Sequence, residues 1–401
     1  MALLPVDEAL ARILDGATPV AAESVDLLSS RDRVLAEDIT AALTQPPFDA
    51  SAMDGYAVRA EDIATAPKEL TVIGESHAGR PFSGTVGRGE AVRIFTGASV
   101  PDGADTVVIQ ENTTRSGATV IVREAGPRGD NIREAGGDFR QGDVLVRAGR
   151  RLDAATITLA ASGGHARLNV RRQPQIAILA TGDELVEPGT PPGPGQIVSS
   201  NPYGLAALVA RVGGRAQLLG IAADSLEDLE AKLGTAAGAD VLVTIGGASV
   251  GDRDLVRPAL EARGIALDFW KVAVRPGKPV LFGRLDAMRV LGLPGNPLSC
   301  LIAARIFLVP LIFRLLGRSD SPLSEGTAVL AHDLGANGPR QHYMRATLQP
   351  GGEGAPRVIA LSSQDSAHMS ALAAADVLIV RPPNAPAAGA GETVPVLPLD
   401  L

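Results

Sequence analysis

The chain contains few of the residues that bind soft metals or stack on bases. Its 401 residues include one cysteine, Cys300, and five histidines, which excludes an intrachain disulfide and a zinc site built from several cysteines. The few aromatic residues (Phe 8, Tyr 3, Trp 1) offer no row of stacking platforms for single-stranded nucleic acid. The formal net charge of −8 disfavours contact with a phosphate backbone. We expect no nucleic-acid partner, and an anionic substrate would need a local basic cluster.

Long apolar runs are also scarce. The best candidate, 298–316, is interrupted by Arg305, Pro310 and Arg314, whereas a membrane-spanning helix needs about 20 mostly apolar residues. This run is therefore predicted to be a buried helix. The N-terminus carries acidic residues where a secretory signal carries Lys or Arg. We predict no membrane partner and a cytoplasmic location.

Three kinds of pattern follow one another along the chain. From Tyr56 to Val146, short β-type runs separated by glycine-rich turns indicate a small all-β module. From Gln175, strand and helix patterns alternate as far as the apolar helix after Leu298, which predicts a doubly wound α/β unit with a parallel sheet. After Ser319 the pattern is β-like again.

The α/β unit carries charges and tight turns where its strands end. Ligands of open parallel sheets bind beyond the carboxyl ends of the strands. Carboxylates without histidine or cysteine suit Mg²⁺, and neighbouring lysines and arginines suit phosphate or another tetrahedral oxyanion. In chain order the segments provide Asp183 and Glu184; Asp224; Asp252, Arg253 and Asp254; Lys271, Arg275 and Lys278; and Pro294, Asn296 and Pro297. The pattern predicts a Mg²⁺-assisted enzyme that handles phosphate and a second oxyanion, although no phosphate-binding loop or dinucleotide fingerprint is present.

Several of these residues also have purely structural interpretations. Ser225 and Asp228 form an S-x-x-D capping pattern, and Asp224, directly before Ser225, is itself a candidate helix cap. Asp183 and Glu184 fit a solvated turn, and Lys271 beside Trp270 fits a surface lysine that buries its alkyl chain. Cys300, among apolar neighbours, fits a buried inert thiol. In the all-β module, the turns around Asp54, Thr96 and Asp138 have no spacing that connects them to the α/β unit.

Seven motifs resemble, in one order, those of the molybdopterin molybdenumtransferase family. They are SAMDGYAV, FTGAS, NIREAGGD, TGDEL, GGASVGDRD, RPGKP and GLPGNPLS. The family includes the bacterial molybdenum-insertion enzyme and the C-terminal domain of gephyrin. The resemblance implies the last common step of molybdenum cofactor biosynthesis, in which adenylylated molybdopterin and molybdate give the cofactor and AMP with a cation such as Mg²⁺. The dithiolene of the pterin would supply the sulfur ligands that a chain with one cysteine lacks.

The resemblance also implies an architecture and partners. Family members are homodimers of four domains, with the all-β module inserted as a lid and a small β-barrel at the C-terminus. The corresponding limits here are 1–45 with 147–173 for the N-terminal domain, 46–146 for the lid, 174–318 for the α/β domain and 319–401 for the barrel. The lid of the partner subunit would contribute to the active site. A molybdopterin adenylyltransferase and molybdoenzyme acceptors or chaperones would be partners.

Site residues follow from the motifs by resemblance. The catalytic set would be Asp54, Thr96, Asp138, Glu184, Asp254, Lys271, Arg275 and Lys278. Substrate contacts would come from Thr181, Gly182, Asp183, Gly246, Gly247, Ser249, Gly251, Pro294, Gly295, Asn296, Pro297, Ser299, Arg345 and Ser366, and the cation ligands from Glu184, Asp224 and Asp254. The chain departs from the family in having Gly137 before the lid aspartate, Ser199 where many members have Asp, and Asp365 beside Ser366.

Two hypotheses from other classes compete with the insertase. A related enzyme that hydrolyses nucleotide or modifies pterin would release nucleotide without molybdate. A non-catalytic scaffold or carrier of the same fold would release none, but a scaffold needs no cluster such as Glu184, Asp224, Asp254 and Lys278.

Overall fold

A computed structural model describes residues 3–247, 255–351 and 355–399. Within these ranges the chain forms a small N-terminal unit, a β-rich lid, a central α/β domain and a C-terminal barrel. The predicted multidomain fold class is confirmed, whereas the predicted domain limits stay predictions.

The N-terminal unit combines segments on both sides of the lid. Strand β1 pairs antiparallel with β12, and β2 with β11, so the chain leaves this unit for the lid and returns to it. Helix α2 begins at a reciprocal cap, in which the Asp153 carboxylate accepts the N–H of Thr156 and the Thr156 hydroxyl accepts the N–H of Asp153, both at 2.8 Å. The elements are α1 (Val6–Leu14), β1 (Ala22–Asp26), β2 (Ile39–Thr40), β11 (Val144–Val146), α2 (Ala154–Ser162) and β12 (Arg167–Arg171).

The lid contains a six-stranded sheet in the order β7-β4-β6-β5-β9-β8, and β3 pairs with β10 beside it. The first residue of β4, Gly55, lies so close to β7 that an added Cβ would be 2.0 Å from the carbonyl oxygen of Val108. Only glycine fits there, which explains the glycine after Asp54. The strands are β3 (Ala50–Ser51), β4 (Gly55–Val58), β5 (Lys68–Ser76), β6 (Glu90–Ile94), β7 (Thr106–Ile109), β8 (Thr113–Ser116), β9 (Thr119–Val122) and β10 (Ile132–Arg133); short 3₁₀ turns cover Ala60–Ile63 and Gln110–Asn112.

The central domain has a six-stranded sheet in the order β16-β13-β17-β21-β20-β18. Strand β17 is buried along its whole length and β13 is buried from its second residue, as expected for strands covered on both faces. The elements are β13 (Gln175–Thr181), β14 (Leu185–Val186), β15 (Ile197–Val198), α3 (Asn201–Arg211), β16 (Arg215–Ala222), α4 (Leu226–Gly234), β17 (Val241–Ile245), α5 (Val256–Ala262), β18 (Ala266–Phe269), β19 (Val274–Arg275), β20 (Leu281–Leu285), β21 (Met288–Leu293), α6 (Pro297–Ala303) and α7 (Val309–Leu316).

The expectation of an entirely parallel sheet is wrong. The four strands β16, β13, β17 and β21 are parallel. At one edge, however, β20 pairs antiparallel with β21, and β18 pairs antiparallel with β20. Strands β20 and β21 form a hairpin in which Leu285 pairs with Met288, and Asp286 in the two-residue turn has φ 51°. A two-residue turn can join only antiparallel neighbours, so this connection excludes a crossover helix.

The β-type run FWKVAV, at residues 269–274, predicts one strand of the central sheet, and this prediction is wrong. Strand β18 ends at Phe269, and β19 separates from the central sheet to pair in parallel with β23 (Gln341–Gln349) of the C-terminal region. The segment between them is held by the N-terminus, where the N–H of Ala273 donates to the carbonyl oxygen of Leu4 at 2.7 Å. The two residues of β19, although inside the predicted α/β stretch, extend the C-terminal sheet.

The C-terminal region forms a closed five-stranded barrel, as predicted. The strand order is β23-β24-β22-β26-β25, and β25 pairs again with β23 to close it. Closure leaves β19 as an additional strand on the outside of β23. The elements are β22 (Gly326–Leu330), β23 (Gln341–Gln349), β24 (Arg357–Ala360), α8 (Met369–Ala373), β25 (Val377–Arg381) and β26 (Thr393–Pro398).

The apolar run near residue 300 is a core helix. Helix α6, a π-helical turn at Ala304–Leu308 and α7 form one continuous helix, Pro297–Leu316, which is long and apolar enough to cross a membrane. Inside the protein, however, 83% of its most apolar window is buried. It packs against the central sheet and the barrel, with Phe307 and Leu311 fully buried, and the predicted buried thiol of Cys300 is confirmed.

Candidate active site at the carboxyl edge of the central sheet

A cavity of about 810 Å³ lies beyond the carboxyl ends of β13, β17 and β21. Its other walls are the two-stranded β14–β15 ribbon, the start of α3, and Ala367 from the C-terminal region. This is the position where doubly wound sheets bind ligands. Nine of the predicted site residues line it: Thr181, Gly182, Glu184, Asp224, Gly246, Gly247, Gly295, Asn296 and Pro297.

Two carboxylates face this cavity from neighbouring strand ends. Glu184 follows β13 and Asp224 follows β16, and both side chains are exposed to the cavity and solvent. The N–H of Asp224 donates to Oδ1 of Asp183 at 3.0 Å, so Asp183 holds the two loops together. Asp224 is not a helix cap, since the cap of α4 is Ser225, whose hydroxyl accepts the N–H of Asp228 at 3.3 Å.

The floor of the cavity needs close backbone contact. Gly246 has φ +87°, and a Cβ there would lie 2.9 Å from the carbonyl oxygen of Thr181. Gly295 lies against the backbone of Gly246, since a Cβ added to Gly295 would be 3.6 Å from the Cα of Gly246. The loops after three parallel strands therefore meet with no side chains between them, which leaves room for a ligand.

Two asparagines contribute unpartnered oxygens. Nδ2 of Asn201, at the start of α3, donates to the carbonyl oxygen of Gly295 at 2.7 Å, and its Oδ1 is buried without a hydrogen-bond partner among the described residues. Oδ1 of Asn296 is likewise buried with no hydrogen-bond partner among the described residues. Buried polar atoms are normally paired, so both oxygens are candidate acceptors for a donor of a ligand. The motifs included Asn296, but no pattern singled out Asn201 as a site residue.

The loop 271–278, which carries Lys271, Arg275 and Lys278 and is called the basic loop below, lies beside the cavity and does not line it. The N–H of Val272 donates to the carbonyl oxygen of Lys278 at 3.1 Å and closes the loop. Gly277 packs against the turn before α6, with an added Cβ 3.5 Å from Pro294 and 3.4 Å from the carbonyl oxygen of Ser299. The residues Lys271, Arg275 and Lys278 thus reach this edge from a strand shared with the barrel, not from a strand of the central sheet as expected.

A buried histidine faces the same loop. His342 pairs with Arg275 across β19 and β23 and is 6% exposed. Burial, together with the charges of Arg275, Arg340, Arg345 and Arg381, lowers the pKa of His342 to about 4. The imidazole is therefore neutral at physiological pH in a strongly positive environment. A lone histidine in a β-type run gave no sign of this.

Arg345 and Ser366 belong to one loop system. Arg345 is 1% exposed, and its guanidinium donates to the carbonyl oxygens of Ser363 at 2.7 Å and Asp365 at 3.1 Å. It supports the loop that carries half-buried Ser366, next to Ala367 of the cavity lining. The Asp365 carboxylate accepts the N–H of Ala367 at 2.9 Å and is thereby occupied within the loop.

The lid residues form a separate group. The Asp54 carboxylate accepts the N–H and the hydroxyl of Thr96, both at 2.8 Å on Oδ1. The hydrogen bond from the Thr96 N–H, then that from its hydroxyl, lower the pKa of Asp54. Asp138 donates its N–H to the carbonyl oxygen of Gln45 at 3.1 Å. None of the three is among the described residues that line the cavity.

Five residues named from the sequence, Ser249, Gly251, Asp252, Arg253 and Asp254, lie outside the described residues. Of the predicted cation set, Glu184 and Asp224 lie within them, and the described part of the chain contains no group of three or more His, Cys, Asp or Glu side chains arranged to hold a metal ion. Two carboxylates with room for water remain compatible with Mg²⁺, which keeps several waters and takes further oxygens from phosphates.

Family models match almost the whole chain in order. Residues 4–164 match the MoeA N-terminal region (domains I and II), 177–314 a probable molybdopterin-binding domain, and 327–399 the MoeA C-terminal region (domain IV). The chain is 35% identical to the molybdopterin molybdenumtransferase of Haemophilus influenzae over 99% of both chains. It belongs to the molybdopterin molybdenumtransferase family.

Other relatives and solved structures agree with this assignment. The molybdopterin molybdenumtransferase of Nostoc is 39% identical over 81% of this chain and 77% of that protein. The molybdopterin molybdenumtransferase of Bacillus subtilis is 35% identical over 98% of this chain and 94% of that protein. Two structures of the molybdopterin biosynthesis MoeA protein of Pyrococcus horikoshii, 31% and 29% identical, superpose with TM-scores of 0.84 over 99% of this chain and at least 99% of theirs. The same fold thus extends over the lid, central domain and barrel.

Proposed function

We propose that this protein inserts molybdate into adenylylated molybdopterin and releases AMP with the help of Mg²⁺. As a member of its family it is a transferase of molybdenum cofactor biosynthesis. The observation that carries the finer proposal is the cavity at the carboxyl edge of β13, β17 and β21. It combines two carboxylates, Glu184 and Asp224, with a glycine-lined floor and unpartnered amide oxygens.

The nucleotide end of the substrate would bind in this cavity. The backbone N–H groups at the start of α6 and the partial positive charge of that helix end favour a phosphate. The oxygens of Asn201 and Asn296 would accept hydrogen bonds from the substrate or its bound water. Glu184 and Asp224 would hold Mg²⁺, which would neutralise charge on the pyrophosphate as the bond to AMP breaks.

Molybdate, as a substrate, would meet the basic loop. It is a tetrahedral dianion, and Lys271, Arg275 and Lys278 supply cationic donors for such an ion. The packing of Gly277 on Pro294 and Ser299 supports this assignment, since it holds the loop at the edge of the cavity. Ser299 and Ser366 would add hydroxyl donors, with Arg345 supporting the loop of Ser366.

The lid of a second subunit would complete the site. The pair Asp54–Thr96 and the residue Asp138 are separate from the cavity lining of their own chain, which is the arrangement that a homodimer with shared sites requires. Leu28, at 89% exposed, and Leu43, at 55%, offer apolar surface for an interface. An adenylyltransferase that supplies the substrate, acceptor enzymes or chaperones, and a cytoplasmic location stay predictions.

AMP release from adenylylated molybdopterin with Mg²⁺ tests the reaction. We expect release that depends on molybdate, and at least a tenfold lower kcat/KM in Glu184→Gln, in line with the roughly several kcal/mol that a bound metal contributes. Glu227→Gln is the matched control, since Glu227 is an exposed acid near Asp224 but outside the cavity lining. Release without molybdate would instead favour a nucleotide hydrolase, and no release at all would favour a scaffold.

Mixing two inactive variants tests the shared site. Asp54→Asn impairs the lid and Glu184→Gln the cavity, so a mixed dimer has one site with both parts intact. After subunit exchange in equal amounts, half of the dimers are mixed and about a quarter of the wild-type activity returns. If lid and cavity act within one chain, no activity returns.

A further inference from the structure

One lid arginine connects both segments that form the Asp54–Thr96 pair. Arg93, on β6, donates from Nη1 to the carbonyl oxygen of Gly55 at 3.1 Å and from Nη2 to Oε1 of Gln110 at 2.7 Å. Its guanidinium carbon lies 4.8 Å from the ring centre of Phe95. These contacts reach the residue after Asp54 on one side and the residue before Thr96 on the other.

The contacts of Arg93 also surround the backbone of Asp54. The N–H of Gln110 donates to the carbonyl oxygen of Asp54 at 3.0 Å, so Arg93, Gln110 and Gly55 form a ring of hydrogen bonds behind the turn. The Arg93 guanidinium lies 5.2 Å from the ring of Tyr56, which is 4% exposed. The buried ring below fixes the position of the guanidinium, and a flexible lysine could not reproduce its planar fork.

We propose that Arg93 is a positioning residue that holds Asp54 and Thr96 in register for the substrate. Among the described residues, both hydrogen bonds to this carboxylate fall on Oδ1, so Oδ2 faces away from them as an acceptor. Arg93 itself does not touch the reacting atoms. The inference rests on the proposed function in so far as Asp54 acts in the reaction.

Charge supports the same role. After the two hydrogen bonds from Thr96, the charge of Arg93 also lowers the pKa of Asp54, against the opposing effect of burial. The neighbouring acids are occupied elsewhere: Glu75 pairs with His77 at 3.2 Å and with Arg115 at 3.9 Å. Glu111, on the next turn, accepts from the amide of Gln110 at 3.5 Å. Within the described lid, Arg93 is thus the charge that acts on Asp54.

A titration of Asp54 tests the proposal without any activity assay. The carboxyl ¹³C signal of Asp54, assigned through Asp54→Asn, is followed against pH in the full-length protein and in Arg93→Gln, Arg93→Lys and Arg115→Gln. We expect the midpoint to rise in Arg93→Gln, because the variant removes a positive charge that lowers the pKa of Asp54. It should rise less in Arg93→Lys, and stay unchanged in Arg115→Gln, which removes a lid arginine from the same sheet.

The kinetics of the same variants separate positioning from general support of the fold. Arg93→Gln should lower kcat by roughly tenfold and leave KM for molybdate unchanged. The acidic limb of its profile of kcat against pH should move to higher pH. Arg93→Lys should keep the acidic limb and lose only part of kcat. An unchanged Asp54 midpoint in Arg93→Gln with a folded lid would overturn the inference. Absence of AMP release in the wild type would instead reject the proposed function, while the titration would still decide the role of Arg93.

Discussion

Asn201 provides a direct test of whether the cavity binds the nucleotide. Its Nδ2 donates to the carbonyl oxygen of Gly295, and its Oδ1 is buried with no hydrogen-bond partner among the described residues. The Asn201→Ala variant removes both. Because Gly295 is exposed, water can replace the lost donor, and we expect the free energy of unfolding to fall by only about 0.5–1.5 kcal/mol.

The unpartnered oxygen sets the effect on binding. If a ligand donor bonds to Oδ1 of Asn201, its loss costs about 0.5–1.5 kcal/mol, which weakens AMP binding about 2- to 13-fold. Asn201→Asp keeps Oδ1 but replaces the Nδ2 donor with a second oxygen and places a negative charge near the phosphate, so we expect a larger loss of AMP affinity than with alanine. Denaturant unfolding measures the first effect, and calorimetric titration with AMP and Mg²⁺ measures the second.

Thr244 supplies the matched control. Within the part of the chain that the structure describes, its hydroxyl is also buried without a partner, but it lies within β17 and does not line the cavity. Thr244→Val should therefore leave the AMP affinity unchanged. Unaltered AMP binding in Asn201→Ala would refute the reasoning, because the orphaned oxygen would then have no ligand to serve.

Three further predictions concern the fold that supports the site. The pKa of His342, about 4 when folded, lies below the usual value of 6.5, so the unfolded chain binds the additional proton between these pH values and stability falls as the pH decreases. Between pH 6.5 and 5 this costs about 2 kcal/mol, which urea unfolding of wild type and His342→Gln would reveal as a lost pH dependence in the variant. Gly55→Ala places a Cβ 2.0 Å from the carbonyl oxygen of Val108 and should destabilise the lid by about 3 kcal/mol, and a loss much below that in denaturant unfolding would contradict the geometry. Burial raises the pKa of the Cys300 thiol, so a thiol reagent should modify it only after unfolding, and rapid modification of the native protein would contradict its position.

The sequence patterns predicted the elements whose signals are local. The alternation after Gln175 and the S-x-x-D cap at Ser225 follow from periodicity and capping chemistry, and the structure contains both. The position of Glu184 and Asp224 in one cavity followed from the rule for strand ends in parallel sheets.

The rest depended on contacts that no local pattern records. Strand β19 separates from the central sheet to pair with β23. The sequence could not predict this pairing, because β23 lies more than sixty residues further along the chain and a two-residue segment has no periodicity of its own. Asn201 and Arg93 act through single hydrogen bonds to distant backbone atoms, Gly295 and Gly55. The neutral state of His342 results from burial among four arginines, which only the closed barrel brings together.

The most direct test of the central claim is a single-turnover experiment that follows both products of insertion. The wild-type protein, loaded with adenylylated molybdopterin and Mg²⁺, receives molybdate; released AMP and pterin-bound molybdenum are then measured over the same time course. Molybdenum insertion coupled to AMP release predicts that the two appear in equal amounts and at the same rate, and that neither appears without molybdate. AMP released without matching molybdenum in the pterin would contradict it.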